Sequence, residues 1–412
     1  MLMKKFMMMA MFMVASATAF AGDSDALKAI LKAKDFAEAE ALLKSGLSQL
    51  ANDQEKAKAY NKLVALAYAK YKKEDDIKTT NQMLKKNDPV DTEGMIKAGI
   101  DALNYAAECD KYDILPNAKG QVKPAFQKKN QDRLVSVFKG LYDNGCTLAE
   151  DSKNEDAFTC LDAYLKAAES PVFSVIPAIK NDPNRGIAAY YAGRAAMQLE
   201  KTGRAIELLK ISANDTIQQV REFSLDLLLY TMGKNRSTKE DSLKFINDVK
   251  DLYAQYPENE KVYSYLCDAM ILNNQEDAVM KIGEEHLAKF PNSVLPHIYK
   301  AFLLQNQKKY AEAIDQWNLI PETQPNYVQF AYYRAVCKYN IAVEFNEANA
   351  DARTGRLTPE NEKKFKDLLS DAQVDFEKCQ QLDPDQGTVK WKYLLHNVYT
   401  QTGQEAKAAT LE

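Results

Sequence analysis

Pro257, Pro291 and Pro325 stand 34 residues apart. Each follows a helical-looking run and precedes another, in "AQYPENEKVYSYL", "AKFPNSVLPHIYK" and "ETQPNYVQFAYYR". Proline is tolerated in the first turn of a helix, where its missing N–H is not needed, so the spacing predicts a helix start at each one. A period of this length is one supersecondary unit repeated, and a single unit of two helices cannot bury its apolar face alone. Only 15 glycines and 13 prolines in 412 residues fit long helices better than a turn-rich all-β fold.

The period extends beyond the prolines. Aromatic-Ala-Glu-Ala occurs as Phe36-Ala37-Glu38-Ala39 and again as Tyr310-Ala311-Glu312-Ala313. Small residues lie twelve apart at Gly145 and Ala157, Gly193 and Ala205, and Ala301 and Ala313. Such pairs suit two helices that cross at close quarters. Helix-pair units are expected at 22–52, 56–90, 131–170, 183–213, 215–256, 257–291, 292–325, 326–385 and 386–412. The 326–385 unit carries about 25 extra residues near 346–370, with Thr358-Pro359 as cap and first turn of a resumed helix. The stretch 110–130 is expected to be an irregular loop rich in proline and lysine. The resulting segments are 1–21, 22–109, 110–130, 131–256 and 257–412.

A 34-residue helix–turn–helix unit with this proline and these small positions resembles the tetratricopeptide repeat. The resemblance implies an all-α, right-handed superhelical solenoid whose first helices line a concave groove. It also implies a non-catalytic protein–protein interaction scaffold that takes a peptide or protein partner in that groove. Carried over by position, the site after the family's first-helix tryptophan falls on Lys62, Tyr142, Tyr190, Ile298, Tyr332 and Trp391, four of them aromatic. Arg194, Phe302 and Tyr339 fall at other groove-facing positions. Aromatics with polar tips and arginine are enriched at binding hot spots. Packing between adjacent first helices is the other role these rings could have. A glycan-binding accessory of nutrient uptake is the alternative function, because aromatic platforms also suit sugars.

The N-terminus reads as an export signal. Lys4 and Lys5 precede an apolar run to Phe20, and Ala19-Phe20-Ala21 precedes Gly22 as a cleavage site. The run is too short to span a bilayer, and no cysteine stands at the cleavage point for a lipid anchor. Cleavage after Ala21 would leave a periplasmic protein without a transmembrane segment. The Pro/Lys insertion resembles those of exported repeat proteins of Bacteroidetes-type bacteria. A net charge of −4 argues against nucleic acid.

Motifs that carry chemistry are missing. His286, His297 and His396 are far apart, and no phosphate-binding glycine loop, H-E-x-x-H or G-x-S-x-G occurs. The expectation is no catalytic residue, no metal and no cofactor. The six cysteines are dispersed, and Cys267 and Cys379 replace small repeat residues. Cys146 and Cys160 fall on paired helices, and whether they bond is left open by sequence.

Overall fold

The computed structural model describes residues 23–117, 119–234 and 236–412. The expected export signal lies outside these residues. The described chain is helical, with no strand among the described residues, and divides into two units, one ending at Met232 and one spanning Gly233–Glu412.

The first unit contains α1 (Asp25–Lys32), α2 (Phe36–Gly46), α3 (Asp53–Leu84), α4 (Thr92–Asp113), α5 (Gln127–Glu150) and α6 (Asn154–Glu169). Two one-turn helices follow, α7 (Pro171–Ser174) and α8 (Pro177–Lys180), then α9 (Arg185–Gln198), α10 (Thr202–Ser212) and α11 (Gln218–Gly233). Side-chain caps set several starts. Ser24, Asp35, Asn52 and Asp91 each accept a hydrogen bond from a backbone N–H in the first turn of the helix they precede.

The expected pair over 56–90 is instead one helix of 32 residues, α3. No glycine or proline interrupts 53–84, so nothing breaks the helix at the expected turn. It stops at Lys85, whose φ of 51° is left-handed. Its partner is α4, which lies between the units expected at 56–90 and 131–170. The joint is made by Tyr71, which is 1% exposed and packs against Gly99 of α4 and Gly140 of α5. A Cβ at Gly140 would collide with the Tyr71 hydroxyl. The irregular segment is shorter than expected, running from Ile114 to Phe126. Asp113 holds its far end, accepting hydrogen bonds from the N–H groups of Ala125, Phe126 and Gln127 at 2.9, 2.8 and 2.8 Å.

The second unit contains α12 (Lys239–Gln255), α13 (Glu260–Ile271), α14 (Glu276–Lys289), α15 (Leu295–Asn306) and α16 (Tyr310–Trp317). It ends with α17 (Tyr327–Asn349), α18 (Pro359–Leu382), α19 (Lys392–Gln401) and α20 (Glu405–Ala409). The periodic prolines sit in turns, not in first helical turns: α13, α15 and α17 begin at Glu260, Leu295 and Tyr327. Their effect is on the helix before, because a residue preceding proline is pushed out of helical geometry. Tyr256 and Phe290, at φ −129° and −128°, close α12 and α14 in this way. The insertion lengthens α17 and α18 to 23 and 24 residues, against 12 in α13 and in α15. Thr358 caps α18 by accepting from Asn361 N–H, as its sequence suggested.

The small positions are buried where helices cross. Ala157, Ala205, Ala301 and Ala313 are all 0% exposed. A Cβ on Gly145 would approach Leu161 to 2.5 Å, and one on Gly193 would approach Leu209 to 2.8 Å. These are the close approaches that only glycine permits.

Candidate functional site

In the first unit α1, α3, α5 and α9 are the first helices of their pairs, and α11 follows the α9–α10 pair. Tyr190 on α9 is half-buried. Its ring centroid lies 5.4 Å from Tyr191 and 6.4 Å from Phe223 of α11. The Arg194 guanidinium lies 5.1 Å from the Tyr191 ring and 6.0 Å from that of Tyr190, and its Nη2 donates to the Ala149 carbonyl at 2.8 Å. That carbonyl is in the last turn of α5, where helix partial charge is negative and favours a cation. Phe223 and Tyr230 stand 48% and 53% exposed. Spaced by seven, they share one face of α11. A cleft of about 560 Å³ lies at Tyr191 and Arg194, lined also by Ala149, Glu150, Ser152 and Gln198. Rigid aromatic surface beside a guanidinium can grip an extended chain by stacking and hydrogen bonding.

Sequence reading supplied Tyr190 and Arg194 and missed Phe223 and Tyr230. Their segment, "QQVREFSLDLLLY", matches the repeat pattern poorly. The available signal was an aromatic pair at heptad spacing on a helix whose buried positions are taken by Leu225, Leu228 and Leu229.

The remaining positions are scattered. Lys62 on α3 is half-buried and forms no ion pair among the described residues. Tyr142 turns into its own hairpin, 6.0 Å from the Tyr164 ring, where burial raises its pKa well above that of a free phenol. In the second unit Phe302, Tyr332 and Tyr339 join a packed ladder of rings. Phe302 lies 4.7 Å from Tyr333, Tyr333 lies 5.8 Å from Tyr332, and Tyr332 and Tyr339 lie 6.2 and 6.5 Å from Phe376. Trp391 is corrected outright: it is 3% exposed, and its indole N–H donates to the Asp383 carbonyl at 2.7 Å. It precedes α19 and anchors the turn after α18, so it has no face left for a partner.

Chemistry of other kinds is little supported by these side chains. Among the described residues no three His, Cys, Asp or Glu gather as metal ligands. Cys146 and Cys160 are free thiols. Burial pushes Cys109, Cys160, Cys267 and Cys379 up to about 12, and Cys146 up to about 11. A cysteine nucleophile needs the opposite shift. His286 is buried among Tyr253, Tyr263 and Phe290, with Tyr253 Oη at 2.8 Å and Ser293 Oγ at 3.1 Å from its ring nitrogens.

These helix pairs define an all-α helical-repeat protein of tetratricopeptide-like organisation. No family model matches the chain, and no curated protein matches it in sequence. Solved structures with some likeness include Naa15/Naa10 bound to HypK-THB, at 18% identity and a TM-score of 0.31 over 91% of this chain. The human IFIT1 dimer with PPP-AAAA gives 11% identity and a TM-score of 0.17, again over 91% of this chain. A circular tandem repeat protein with novel repeat topology gives 10% and 0.25. The match spans 54% of the first of these chains and 77% of the IFIT1 chain. At such scores the class rests on the chain's own helix pairs.

Proposed function

We propose that this chain is a non-catalytic interaction scaffold that binds an extended segment of a protein partner across Tyr190, Arg194, Phe223 and Tyr230. We further propose that it does so in the periplasm, after loss of residues 1–21. The observation that carries the binding reading is the exposed Phe223–Tyr230 face of α11 continuing from the Tyr190–Arg194 cluster of α9. Aromatic anchors beside an arginine are where alanine scans place most binding energy, about 2 kcal/mol or more each. The periplasmic reading rests on the charged, apolar and A-x-A pattern of the first 21 residues.

The test is cross-linking in intact cells, comparing wild type with Tyr190→Ala/Phe223→Ala/Tyr230→Ala. Specific protein partners are expected on the wild type and are expected to disappear from a variant that keeps its helical circular dichroism. Capture of the same partners by the variant would overturn the assignment of this surface. Capture of glycan but no protein would favour the alternative function. For location, N-terminal sequencing of the periplasmic fraction should begin at Gly22.

A further inference from the structure

We infer that the seams between first helices of the first unit form an anion-binding strip, so that the partner segment of the proposed function is acidic. The inference rests on that reading and adds the chemistry of its ligand.

Arg133 on α5 is the strongest observation. Its Nη2 donates to Asn61 Oδ1 of α3 at 3.0 Å and to Asn130 Oδ1, both neutral acceptors. Its Nε is buried without any hydrogen-bond partner, and it forms no ion pair among the described residues. Burial depresses its pKa, with no carboxylate among the groups that act on it. A half-buried guanidinium without a counter-charge is costly to keep, and an unmatched buried donor calls for an explanation. Two further cations cross the same kind of seam. Lys78 of α3 donates to Asn144 Oδ1 of α5 at 2.8 Å, and Arg194 of α9 donates to the Ala149 carbonyl of α5.

The local carboxylates are engaged elsewhere. Asp132 and Asp143 of α5 pair at 2.7 Å with Lys128 and Lys139 of their own helix, and α9 contains no acidic residue. Glu150 accepts from the Tyr191 hydroxyl at 3.4 Å and forms no ion pair with Arg194. By contrast Arg204, on the second helix α10, is neutralised by Asp162 and Glu207 at 2.7 Å each. The chain as a whole is negative, at −4, yet three cations of these seams meet only neutral oxygens. Carboxylate side chains of an extended segment would supply the missing partners, and arginine binds carboxylates through paired, charge-assisted hydrogen bonds.

The test uses fluorescein-labelled ten-residue peptides of alternating Glu and Ala, or Gln and Ala, with the full chain and fluorescence anisotropy. The Glu peptide is expected to bind at least about tenfold tighter, and the gap should narrow as salt rises. Arg133→Gln should weaken the Glu peptide by roughly tenfold, while Lys250→Gln, an equal charge change on an exposed residue of the second unit, should not. Asn61→Asp keeps the inference open to test if Arg133→Gln does not fold. It places a carboxylate where Arg133 now meets an amide oxygen, so it should raise the melting temperature and weaken the Glu peptide by roughly tenfold, as Arg133→Gln does. Equal binding of both peptides overturns the inference, as does equal weakening by Arg133→Gln and Lys250→Gln. Equal binding that still needs Tyr190 and Phe223 would leave the docking surface standing and remove only its acidic preference.

Discussion

Arg133 of the first unit and Arg334 of the second are partly buried cations with opposite surroundings. Between the long helices α17 and α18 of the second unit, Arg334 Nε and Nη2 meet the two oxygens of Asp375 at 3.0 and 2.5 Å. Lys338 adds contacts to Asp375 at 3.1 Å and to Asp371 at 3.0 Å. In the first unit Arg133 has only amide oxygens. Desolvation works against both guanidiniums. For Arg334 it is outweighed by the Asp375 hydrogen bonds and charge, so its pKa rises; for Arg133 nothing outweighs it, and its pKa falls. The closed network is the kind that holds two helices in register. The open one leaves binding capacity unspent, which is why the ligand inference belongs to the first unit.

The largest effect expected from this contrast comes from removing one charge in each unit. Asp375→Ala would strand Arg334 and Lys338 between α17 and α18. The expected loss is about 3–5 kcal/mol of second-unit stability, because an uncompensated buried charge remains. Arg133→Met removes a charge that was never compensated, so first-unit stability should fall by less than about 1 kcal/mol or rise. Urea denaturation followed by circular dichroism on the full chain reads both. Equal losses would mean that Arg133 is as structural as Arg334, and the contrast would fail.

The contrast could not be read in the sequence, although much of the fold could. The periodic prolines marked helix pairs of the second unit, and the small residues marked α5–α6 and α9–α10 of the first and α15–α16 of the second, since each acts through its immediate neighbours: a proline on the residue before it, a small residue on the helix it crosses. The first unit was harder. The turn expected within 56–90 falls inside what is one helix, α3, and the true partner α4 lies between the expected units. What joins α3 to its neighbours is Tyr71 against Gly99 and Gly140, contacts reaching 28 and 69 residues along the chain. For the site, position carried over from the repeat found Tyr190 and Arg194 because α9 follows the pattern closely. It misplaced Trp391, whose indole meets a carbonyl in a turn that the pattern does not contain. Pairing of charges was invisible throughout, because Arg133 and Arg334 differ only in which side chains the tertiary fold brings to them.

A smaller effect tests how tightly the first unit is joined at Tyr71. Gly140→Ala places a methyl group against the Tyr71 hydroxyl, which now donates to the Ser136 carbonyl at 3.4 Å. With Gly99 on the other side, 3.1 Å from the Tyr71 ring for an added Cβ, the ring has little room to retreat. Overpacking of this kind costs roughly 1–3 kcal/mol. Gly203→Ala meets nothing within 4 Å and should stabilise α10 by up to about 1 kcal/mol through helix propensity. If chemical denaturation shows Gly140→Ala to be neutral, Tyr71 is not the joint between α3, α4 and α5.

The smallest effect separates the units by pH. His286 is buried in the second unit, and burial lowers its pKa below the ordinary 6.5, with Lys289 contributing in the same direction. Its ring nitrogens face a tyrosine and a serine hydroxyl, and neither offers charge to an imidazolium. A base whose folded pKa is depressed is protonated first in the unfolded chain, so the unfolded state binds more protons as the solution acidifies. The stability held by the neutral ring is therefore complete above about 6.5. It erodes as pH falls through that value and stops eroding below the folded pKa. The melting temperature of the second unit should drop between pH 7 and 5 more steeply in wild type than in His286→Gln, whose amide can still meet Tyr253 and Ser293 without gaining a proton. Parallel profiles for the two proteins would show that acid sensitivity in this unit comes from its carboxylates instead, with Glu377, held below the usual carboxylate range by Lys407 and Tyr399 against the opposing effect of burial, as the first to examine.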